Sequence, residues 1–428
     1  MEYARAPAMQ LVFIGPAGAV VQSCNTTHAV ILEIAILLVM RGRSNRTQRF
    51  VERSEPTVAR EGLERRWAER MADEPRLATL VTADGARREP IHRWLPYRQG
   101  FSPGLVRLFL AEHATIRRGD PSSIVLDPFS GSGTCVVECA RREVHAIGVE
   151  TFPSLVYVTE AKFGRGWPTL PELPDPSDWR RIAERLELPI HRATLMMAQA
   201  RRHTAEGRLN RGAGSIVETL AGVAAMIRDD LCQPLALTNK VIVGDARQLA
   251  EIEDDSIAGI LTSPPYLSRY DYPRIADPME AVYRFWYGDE GSASACSGQV
   301  RARPRGKGRA ESNGSIHEAA DEAADALAAI GQVKSARVAH DYFHDLSRVL
   351  EECRRVLRPG GMAWFVVGGA RIKDVYVPAD LMVAELAESV GFDVEAIRVA
   401  RELTPSRRKF GRVGHLAPRE SVIVMTRS

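Results

Sequence analysis

The sequence predicts an α/β fold, a doubly wound and mostly parallel sheet with helices on both faces. Short apolar runs that suit buried strands alternate with helical patterns, and they lie at 122–126, 145–150, 241–245, 257–262 and 362–367. A glycine-rich loop follows the first strand and a proline-rich loop follows the fourth. Because parallel strands end at the same edge of a sheet, both loops are expected beside one ligand crevice.

The helices between these strands have recognisable boundaries. Ser102 followed by Pro103 is typical of an N-cap and a first helical residue, and predicts a helix through Leu110. Further helices are predicted at about 134–142, 314–330, 341–357 and 378–390. The turn Arg-Pro-Gly-Gly at 358–361 should end the third of these, and strands at 393–400 and 420–426 close the pattern.

The composition is that of an ordinary globular protein. The 428 residues are 45% hydrophobic and 26% charged, and the formal net charge of +3 permits nucleic-acid binding without arguing for it. The 6 cysteines include no CxxC pair and no zinc-type spacing with histidine, so no metal site is predicted. Cys135 and Cys139 suit a buried helix face, and a reducing cytoplasm is the expected compartment.

The N-terminal part is expected to lie outside the main domain. The apolar run at 29–40 contains Glu33 and is too short to span a membrane, so residues 1–45 read as a buried or disordered extension. A true start near Met40 or Met71 is the alternative. Residues 46–90 are rich in Arg and Glu and predict a solvated helical and loop lead-in. The main domain is expected at 91–428, with a helical insertion at 165–235 and a mobile loop and helix at 289–335.

The glycine loop at 127–134 reads Asp-Pro-Phe-Ser-Gly-Ser-Gly-Thr. Glycines allow backbone to approach a ligand closely, and no Lys-Ser/Thr follows to make a phosphate-binding P-loop. Glu150 ends the next strand, where a carboxylate can accept from both hydroxyls of a ribose. Asp245, at the end of a third strand, could accept from an adenine amino group. The alternative for both acids is a helix N-cap or a solvated loop carboxylate.

The run Ser263, Pro264, Pro265 and Tyr266 has a chemistry of its own. An exocyclic amine on a nucleobase is a poor nucleophile because its lone pair is delocalised into the ring. Acceptors at Ser263 Oγ and the Pro264 carbonyl could hold both N–H groups out of the ring plane and stabilise the charge that develops. The prolines stiffen the loop, and Tyr266 offers a face for an extruded base. The alternative is a proline-rich turn with a half-buried tyrosine anchor.

These two motifs resemble those of the S-adenosylmethionine-dependent amino-methyltransferases of DNA, the N4-cytosine/N6-adenine family. The serine at position 263 is the form typical of its N4-cytosine branch. The resemblance covers roughly 91–428, with the helical stretch at 165–235 and the loop at 289–335 unmatched, and it implies a Rossmann-like methyltransferase sheet. The segment at 99–106 resembles the family's first cofactor motif. Here the cofactor motif precedes the catalytic one, the reverse of many Ser-Pro-Pro-Tyr enzymes. The implied cofactor contacts are Phe101, Ser102, Asp127, Phe129, Gly131, Gly133, Thr134, Glu150 and Asp245.

Two basic runs could supply phosphate contacts to double-stranded DNA with its target base flipped out. The first contains Arg301, Arg303 and Arg305, and the second contains Arg407, Arg408 and Lys409. For the first run, a solvated charge cluster is the alternative. Tyr270 and Tyr272, just beyond the catalytic loop, are better placed to touch the target base or its neighbours.

The leading hypothesis is therefore a site-specific DNA methyltransferase acting on cytosine N4, alone or beside a cognate restriction endonuclease. Adenine N6 in DNA and a base in RNA are alternatives within the same chemistry, and a protein glutamine amide is a more remote one. A nucleic-acid-binding protein that retains only the cofactor fold is the non-enzymatic alternative. The sequence predicts neither the recognition site nor the oligomeric state.

Overall fold

The chain divides into two compact units, Met1–Ser54 and Glu55–Ser428. The computed structural model describes residues 13–14, 20–21, 58–164, 170–171, 178–204, 208–210, 212–231, 235–288, 300–303, 317–373, 375–403 and 418–428. In the first unit, β1 (Phe13–Ile14) and β2 (Val20–Val21) pair as antiparallel strands. The apolar run at 29–40 lies outside the described residues. Within the described part of the chain, no helix combines the length and the apolar character that crossing a bilayer requires.

The second unit is built on one eight-stranded sheet. A separate two-stranded ribbon is formed by β9 and β10. The described strands of this unit are β3 (Met71–Asp73), β4 (Ile124–Asp127), β5 (Ala146–Glu150), β6 (Lys240–Val243), β7 (Ile257–Thr262), β8 (Leu357–Gly368), β9 (Ala370–Ile372), β10 (Val375–Val377), β11 (Asp393–Glu402) and β12 (Arg419–Thr426).

The sheet order is β3, β11, β12, β8, β7, β4, β5, β6. The five strands from β8 to β6 are parallel, whereas β12 runs antiparallel to both β8 and β11. From β4 the chain moves outward through β5 and β6, and then returns to place β7 on the other side of β4. This reversal is the switch point at which open α/β sheets bind ligands. It brings the ends of β4 and β7, and so both predicted motifs, side by side.

The described helices cover both faces of this sheet. They are α1 (Val58–Trp67), α2 (Pro103–Glu112), α3 (Thr134–Arg141), α4 (Pro153–Ala161), α5 (Trp179–Ala183), α6 (Pro189–Arg202), α7 (Ile216–Asp230), α8 (Tyr272–Tyr287), α9 (Glu318–Ala329), α10 (Val333–Val356) and α11 (Ala379–Ser389).

Alternate residues of the central strands enter two separate cores. Leu126, Ile260 and Phe365 pack on the face covered by α1, α9, α10 and α11. Their neighbours Val125, Leu261 and Trp364 pack on the face covered by α2, α3, α4, α6, α7 and α8. Because both faces are buried, the strands read as continuous apolar runs rather than as alternating ones.

The predicted doubly wound α/β sheet is confirmed, and most predicted element bounds agree within a few residues. One difference is α10, which begins at Val333 rather than near 341. Another is the 358–361 turn, which lies inside β8 as a bulge: Ile257 pairs with Leu357 whereas Gly259 pairs with Met362. Gly360 has φ +72°, a conformation that lets the extra residues of β8 loop out of the hydrogen-bonded pairing with β7.

The lead-in also differs from the solvated segment that the sequence predicts. Leu63 and Trp67 of α1 are only 4% and 1% exposed, and Trp67 Nε1 donates to Glu385 Oε1 at 2.7 Å. The second unit therefore includes residues from Glu55 onward. The weak periodicity of this segment arises because a few large apolar residues are buried while its arginines pair with acids of α11, as Arg66 does with Glu385.

Candidate functional site

The glycine loop connects β4 to α3 with two residues in left-handed conformations. Gly131 has φ +52° and Gly133 has φ +77°. A Cβ on Gly133 would lie 2.2 Å from Thr159 Cγ2, and one on Gly131 would lie 2.9 Å from Tyr97 Cε1. Neither position has room for a side chain, so both glycines are required by the packing as well as by the backbone conformation.

Glu150, the last residue of β5, ties this loop to the neighbouring strand. Its Oε2 accepts the Gly131 N–H at 2.8 Å and its Oε1 accepts the Phe152 N–H at 3.0 Å. Burial raises the pKa of this carboxyl, although the backbone donors oppose the shift. Glu150 is nevertheless among the residues that line a cleft.

We call this space the glycine-loop cleft. It is bounded by parts of both motifs and by apolar side chains of the strand ends. Its lining residues are Tyr97, Gln99, Pro128, Phe129, Gly131, Val149, Glu150, Thr151, Phe152, Ala246, Ser263, Pro265, Tyr272 and Val300. The buried carboxylate suits the ribose of an adenosine-type ligand, and the apolar rings suit its adenine. The glycine backbone, which has no Cβ there, allows the ligand to approach closely.

Asp127 joins the two motifs directly. Its Oδ1 accepts the Thr262 hydroxyl at 2.7 Å and the Phe129 N–H at 3.1 Å. Thr262 immediately precedes the catalytic loop, so the end of β4 and the end of β7 are held together by one carboxyl group. Burial raises the pKa of Asp127 to about 7.

The loop at 263–266 is fixed at Tyr266. The Tyr266 N–H donates to Tyr272 Oη at 2.9 Å, and its own hydroxyl donates to Glu420 Oε1 at 2.8 Å. Tyr266 is 7% exposed, so little of its ring is open to a ligand in this structure. Pro264 is buried, whereas Ser263 and Pro265 are partly exposed.

A second cavity lies on the far side of Ser263, and we call it the arginine cavity. Its lining residues are Val81, Thr82, Ala83, Asp84, Arg87, Arg98, Gln99, Gly100, Ser263, Tyr266, Arg269, Tyr270, Tyr272, Arg401 and Glu420. Gln99, Ser263 and Tyr272 line both this cavity and the glycine-loop cleft. Ser263, the first residue of the proline-rich motif, therefore stands in a wall that the two spaces share.

Some predicted cofactor contacts lie behind the residues that line the two cavities. Phe101 and Ser102 are each 4% exposed, and Ser102 Oγ accepts the Gly104 N–H as the N-cap of α2. Their neighbours Gln99 and Gly100 reach the cavities instead. Thr134 is buried at the start of α3. These side chains are covered by protein in this structure, and their direct contact with the cofactor stays a prediction.

Asp245 also differs from expectation. Its carboxylate is held by Arg247, with Nη2 to Oδ2 at 2.7 Å, and Arg247 in turn donates to Asp345 Oδ1 at 2.6 Å. The neighbouring Ala246, not Asp245, lines the glycine-loop cleft. An adenine amino group at this strand end would thus meet a carboxylate that already accepts hydrogen bonds from an arginine.

The predicted nucleic-acid contacts divide into four groups. Tyr270 and Tyr272 line the arginine cavity, and their contact with a base stays a prediction. Arg301 forms an ion pair with Asp341 and follows Val300, which is 5% exposed, so it is anchored to the core rather than carried on a free loop. Arg303 is exposed. Arg305, Arg407, Arg408 and Lys409 lie outside the described residues.

Sequence reasoning missed several residues that line the cavities. Gln99 stands in the shared wall, while Arg401 and Glu420 come from the antiparallel strands β11 and β12. Gln99 belonged to a recognised segment and could have been found there. The two strand residues belong to no motif, and only the sheet order reveals them. Among the described residues, no group of three or more His, Cys, Asp or Glu side chains is arranged to hold a metal ion.

The chain is similar to curated methyltransferases over most of its length. It is 20% identical over 449 residues to the type II methyltransferase M.BsoBI of Geobacillus stearothermophilus, covering 81% of this chain and 87% of that enzyme. It is 22% identical over 429 residues to the type II methyltransferase M.AvaI of Nostoc sp., covering 79% and 86%. No family model matches the chain.

A solved structure to which the chain is similar is that of TrmN from Thermus thermophilus. The TM-score is 0.31 and the identity is 14%, over 80% of this chain and 53% of that one. The sequence relatives, whose matches cover about four-fifths of the chain, confirm the resemblance predicted from the two motifs. The chain is therefore similar over most of its length to type II methyltransferases, and S-adenosylmethionine is the cofactor that this similarity supports.

Proposed function

We propose that this protein transfers a methyl group from S-adenosylmethionine to the exocyclic N4 amine of a cytosine extruded from double-stranded DNA. The observation that carries the proposal is the wall shared by the two cavities, with Ser263 exposed to both. The glycine-loop cleft has the features of a cofactor site, and the arginine cavity those of a nucleotide site. A methyl group crossing the wall would travel from the first to the second.

The glycine-loop cleft fits the methyl donor through a small number of side chains. Glu150 would accept from the ribose hydroxyls, while Phe129 and Phe152 would contact the adenine. The backbone of Gly131 would lie against the donor, because no Cβ stands in the way. When bound, the donor supplies an electrophilic methyl group on a sulfonium sulfur.

The catalytic loop acts on the acceptor amine. Ser263 Oγ and the Pro264 carbonyl would accept its two N–H groups and turn the nitrogen lone pair towards the cleft. As the new nitrogen–carbon bond forms and the carbon–sulfur bond breaks, the electron pair of the broken bond stays on sulfur. The surplus proton leaves the amine along the hydrogen bond to Ser263 and passes to water. The hydrogen bond from the Tyr266 N–H to Tyr272 keeps this loop in place.

The arginine cavity supplies charge for DNA. Arg87 lines its wall, Arg98 and Arg269 are exposed at its surface, and all three are suited to phosphates that flank an extruded nucleotide. Tyr270 lies beside Tyr272 with ring centroids 5.9 Å apart, which gives an aromatic surface next to the catalytic loop. A cognate restriction endonuclease would be the natural partner of such an enzyme, and the predicted contacts from Arg407 and Arg408 remain part of the proposal.

The test is methyl transfer to duplex DNA of mixed sequence, followed by digestion to nucleosides and mass spectrometry. Wild type should yield N4-methylcytosine, and Ser263→Ala should yield little or none. N6-methyladenine instead would replace cytosine with adenine as the substrate base. No methylated base in DNA, together with intact binding of S-adenosylmethionine, would contradict the proposal, and RNA of the same sequence would then be the next substrate to test.

A further inference from the structure

Arg401 and Glu420 face each other across the antiparallel pair β11 and β12 in the wall of the arginine cavity. Neither belongs to a recognised motif. The register shifts between Val399 and Arg401, so a β-bulge lies immediately before the arginine. Bulges redirect the side chains that follow them, and they are common beside active sites.

A buried carboxylate holds Arg401 against the catalytic loop. Glu420 is 3% exposed, and its two oxygens have different partners. Oε2 accepts from Arg401 Nε at 2.6 Å, while Oε1 accepts from the Tyr266 hydroxyl at 2.8 Å. One carboxylate thus fixes both the tyrosine of the catalytic motif and the direction of the guanidinium.

The guanidinium remains accessible from the cavity. The Arg401 side chain is 36% exposed, compared with 4% for that of Glu420. The bond to Glu420 uses Nε, and a guanidinium has further N–H groups on its two terminal nitrogens. Because the charge is balanced by a buried partner, these donors can meet a neutral ligand without requiring a phosphate.

We propose that Arg401 reads the Watson–Crick edge of the extruded cytosine by donating to its adjacent O2 and N3 acceptors. Glu420 is the positioning residue. The inference rests on the proposed function and extends it to base specificity. Two neighbouring acceptors suit the planar fork of a guanidinium, as they do when arginine reads guanine. Adenine presents N1 beside its amine but a C–H group at the next position, so it would lose one of the two bonds.

The other arginines of the cavity differ from Arg401. Arg269 is exposed and stacks over the Tyr266 and Tyr270 rings at 5.9 and 5.5 Å. Among the described residues, Arg87 has its ion pair with Asp84, whose side chain is 72% exposed, at 3.6 Å. Arg98 is exposed. Among the arginines that line this cavity, Arg401 alone has a described ion pair with a buried carboxylate, which is why we assign base reading to it and phosphate contact to the others.

The experiment is a double-substitution cycle on the duplex site that the wild type methylates. Wild type and Arg401→Ala are each given the target cytosine or 3-deazacytosine, in which C–H replaces N3, and kcat/KM is measured. A hydrogen bond to a charged group corresponds to about 10- to 150-fold in affinity. Wild type should therefore lose about 10-fold or more on the analogue, whereas Arg401→Ala should treat both bases alike. Altered base pairing and amine reactivity affect both proteins and cancel in the comparison.

Three further variants keep the test decisive. Arg401→Lys retains charge without the fork, and it should also show a reduced preference for cytosine over the analogue. Arg98→Ala is the matched control, and it should keep the wild-type preference while weakening the dependence of DNA binding on salt. Glu420→Gln should lower the preference by releasing the guanidinium, with the catalytic serine intact.

The outcomes separate this inference from the function on which it rests. If Arg401→Ala keeps the full wild-type preference for N3, or loses activity uniformly with a smaller salt dependence, Arg401 does not read the base. If wild type makes no N4-methylcytosine in any DNA, the proposed function fails first and the inference fails with it.

Discussion

The glycine-loop cleft and the arginine cavity share one wall but are built in different ways. The cleft is made at the ends of parallel strands, where backbone amides and buried carboxyl groups such as Glu150 define its shape. The arginine cavity is lined by long charged side chains from segments distant in sequence, including the loop at 81–87 and the antiparallel strands β11 and β12. The difference teaches that the fold fixes the place of a cofactor, whereas selectivity for a substrate depends on side chains added around it.

The largest expected effect is at the shared wall. Ser263→Ala removes the hydroxyl of a residue that lines both cavities, and we expect kcat to fall about 10²- to 10³-fold, as when one polar group that stabilises a transition state is removed. Affinity for S-adenosylmethionine should be nearly unchanged. Single-turnover rates and calorimetric titration measure the two quantities. Ser256→Ala, at the opposite end of β7, is the control, and an equal loss of rate and cofactor affinity in Ser263→Ala would assign a structural role to the serine.

A smaller effect is expected inside the cleft alone. Glu150→Gln keeps the shape of the side chain but removes the charge that would bind the ribose hydroxyls. We expect cofactor affinity to fall about 10- to 100-fold, because hydrogen bonds to charged groups contribute about 1.5–3 kcal/mol. Binding of DNA without cofactor should be unaffected. Glu160→Gln, on the neighbouring α4, provides the control; unchanged cofactor affinity in Glu150→Gln would remove Glu150 from the cofactor site.

The glycine loop itself can be tested through stability. Gly133→Ala places a Cβ 2.2 Å from Thr159 Cγ2 at φ +77°, and should lower the free energy of unfolding by about 1–3 kcal/mol. Adding Thr159→Ala should restore part of the loss, since it removes the clash but not the backbone strain. Gly62→Ala, in α1 with nothing within 4 Å, should instead stabilise by roughly 1 kcal/mol. Urea titrations compare the three; no difference between Gly133→Ala and Gly62→Ala would contradict the packing described here.

The last prediction concerns the carboxyl group that joins the two motifs. Asp127 has a pKa of about 7 in the folded protein, above its ordinary value of 3.8. The folded state therefore binds more protons between these values, and the free energy of unfolding should fall as pH rises from about 4 to about 7. Asp127→Asn should lose this part of the pH dependence while keeping an acceptor for Thr262. Unfolding measured from pH 4 to 8 checks this, and parallel curves for the two proteins would refute it.

The sequence revealed the cleft more fully than the cavity, for a physical reason. Gly131, Gly133 and Glu150 lie at strand ends, where the backbone dictates the residue type and a short motif records the requirement. Glu420 is found only through the pairing of β12 with β8 and β11, which no local pattern encodes. Two further features could not be predicted from the sequence. The burial of Phe101 depends on neighbours distant in sequence, and the ion pair between Asp245 and Arg247 depends on side-chain geometry.

The most direct test of the shared wall is the affinity of a bisubstrate compound. In such a compound a short carbon bridge, placed where the transferred methyl would be, joins the adenosyl amino-acid scaffold to N4 of cytosine. If the two cavities form one active site across Ser263, the compound should displace both S-adenosylmethionine and DNA. It should also bind about 10²- to 10⁴-fold more tightly than either half. Displacement of the cofactor alone, with no gain in affinity from the cytosine half, would contradict the joint site.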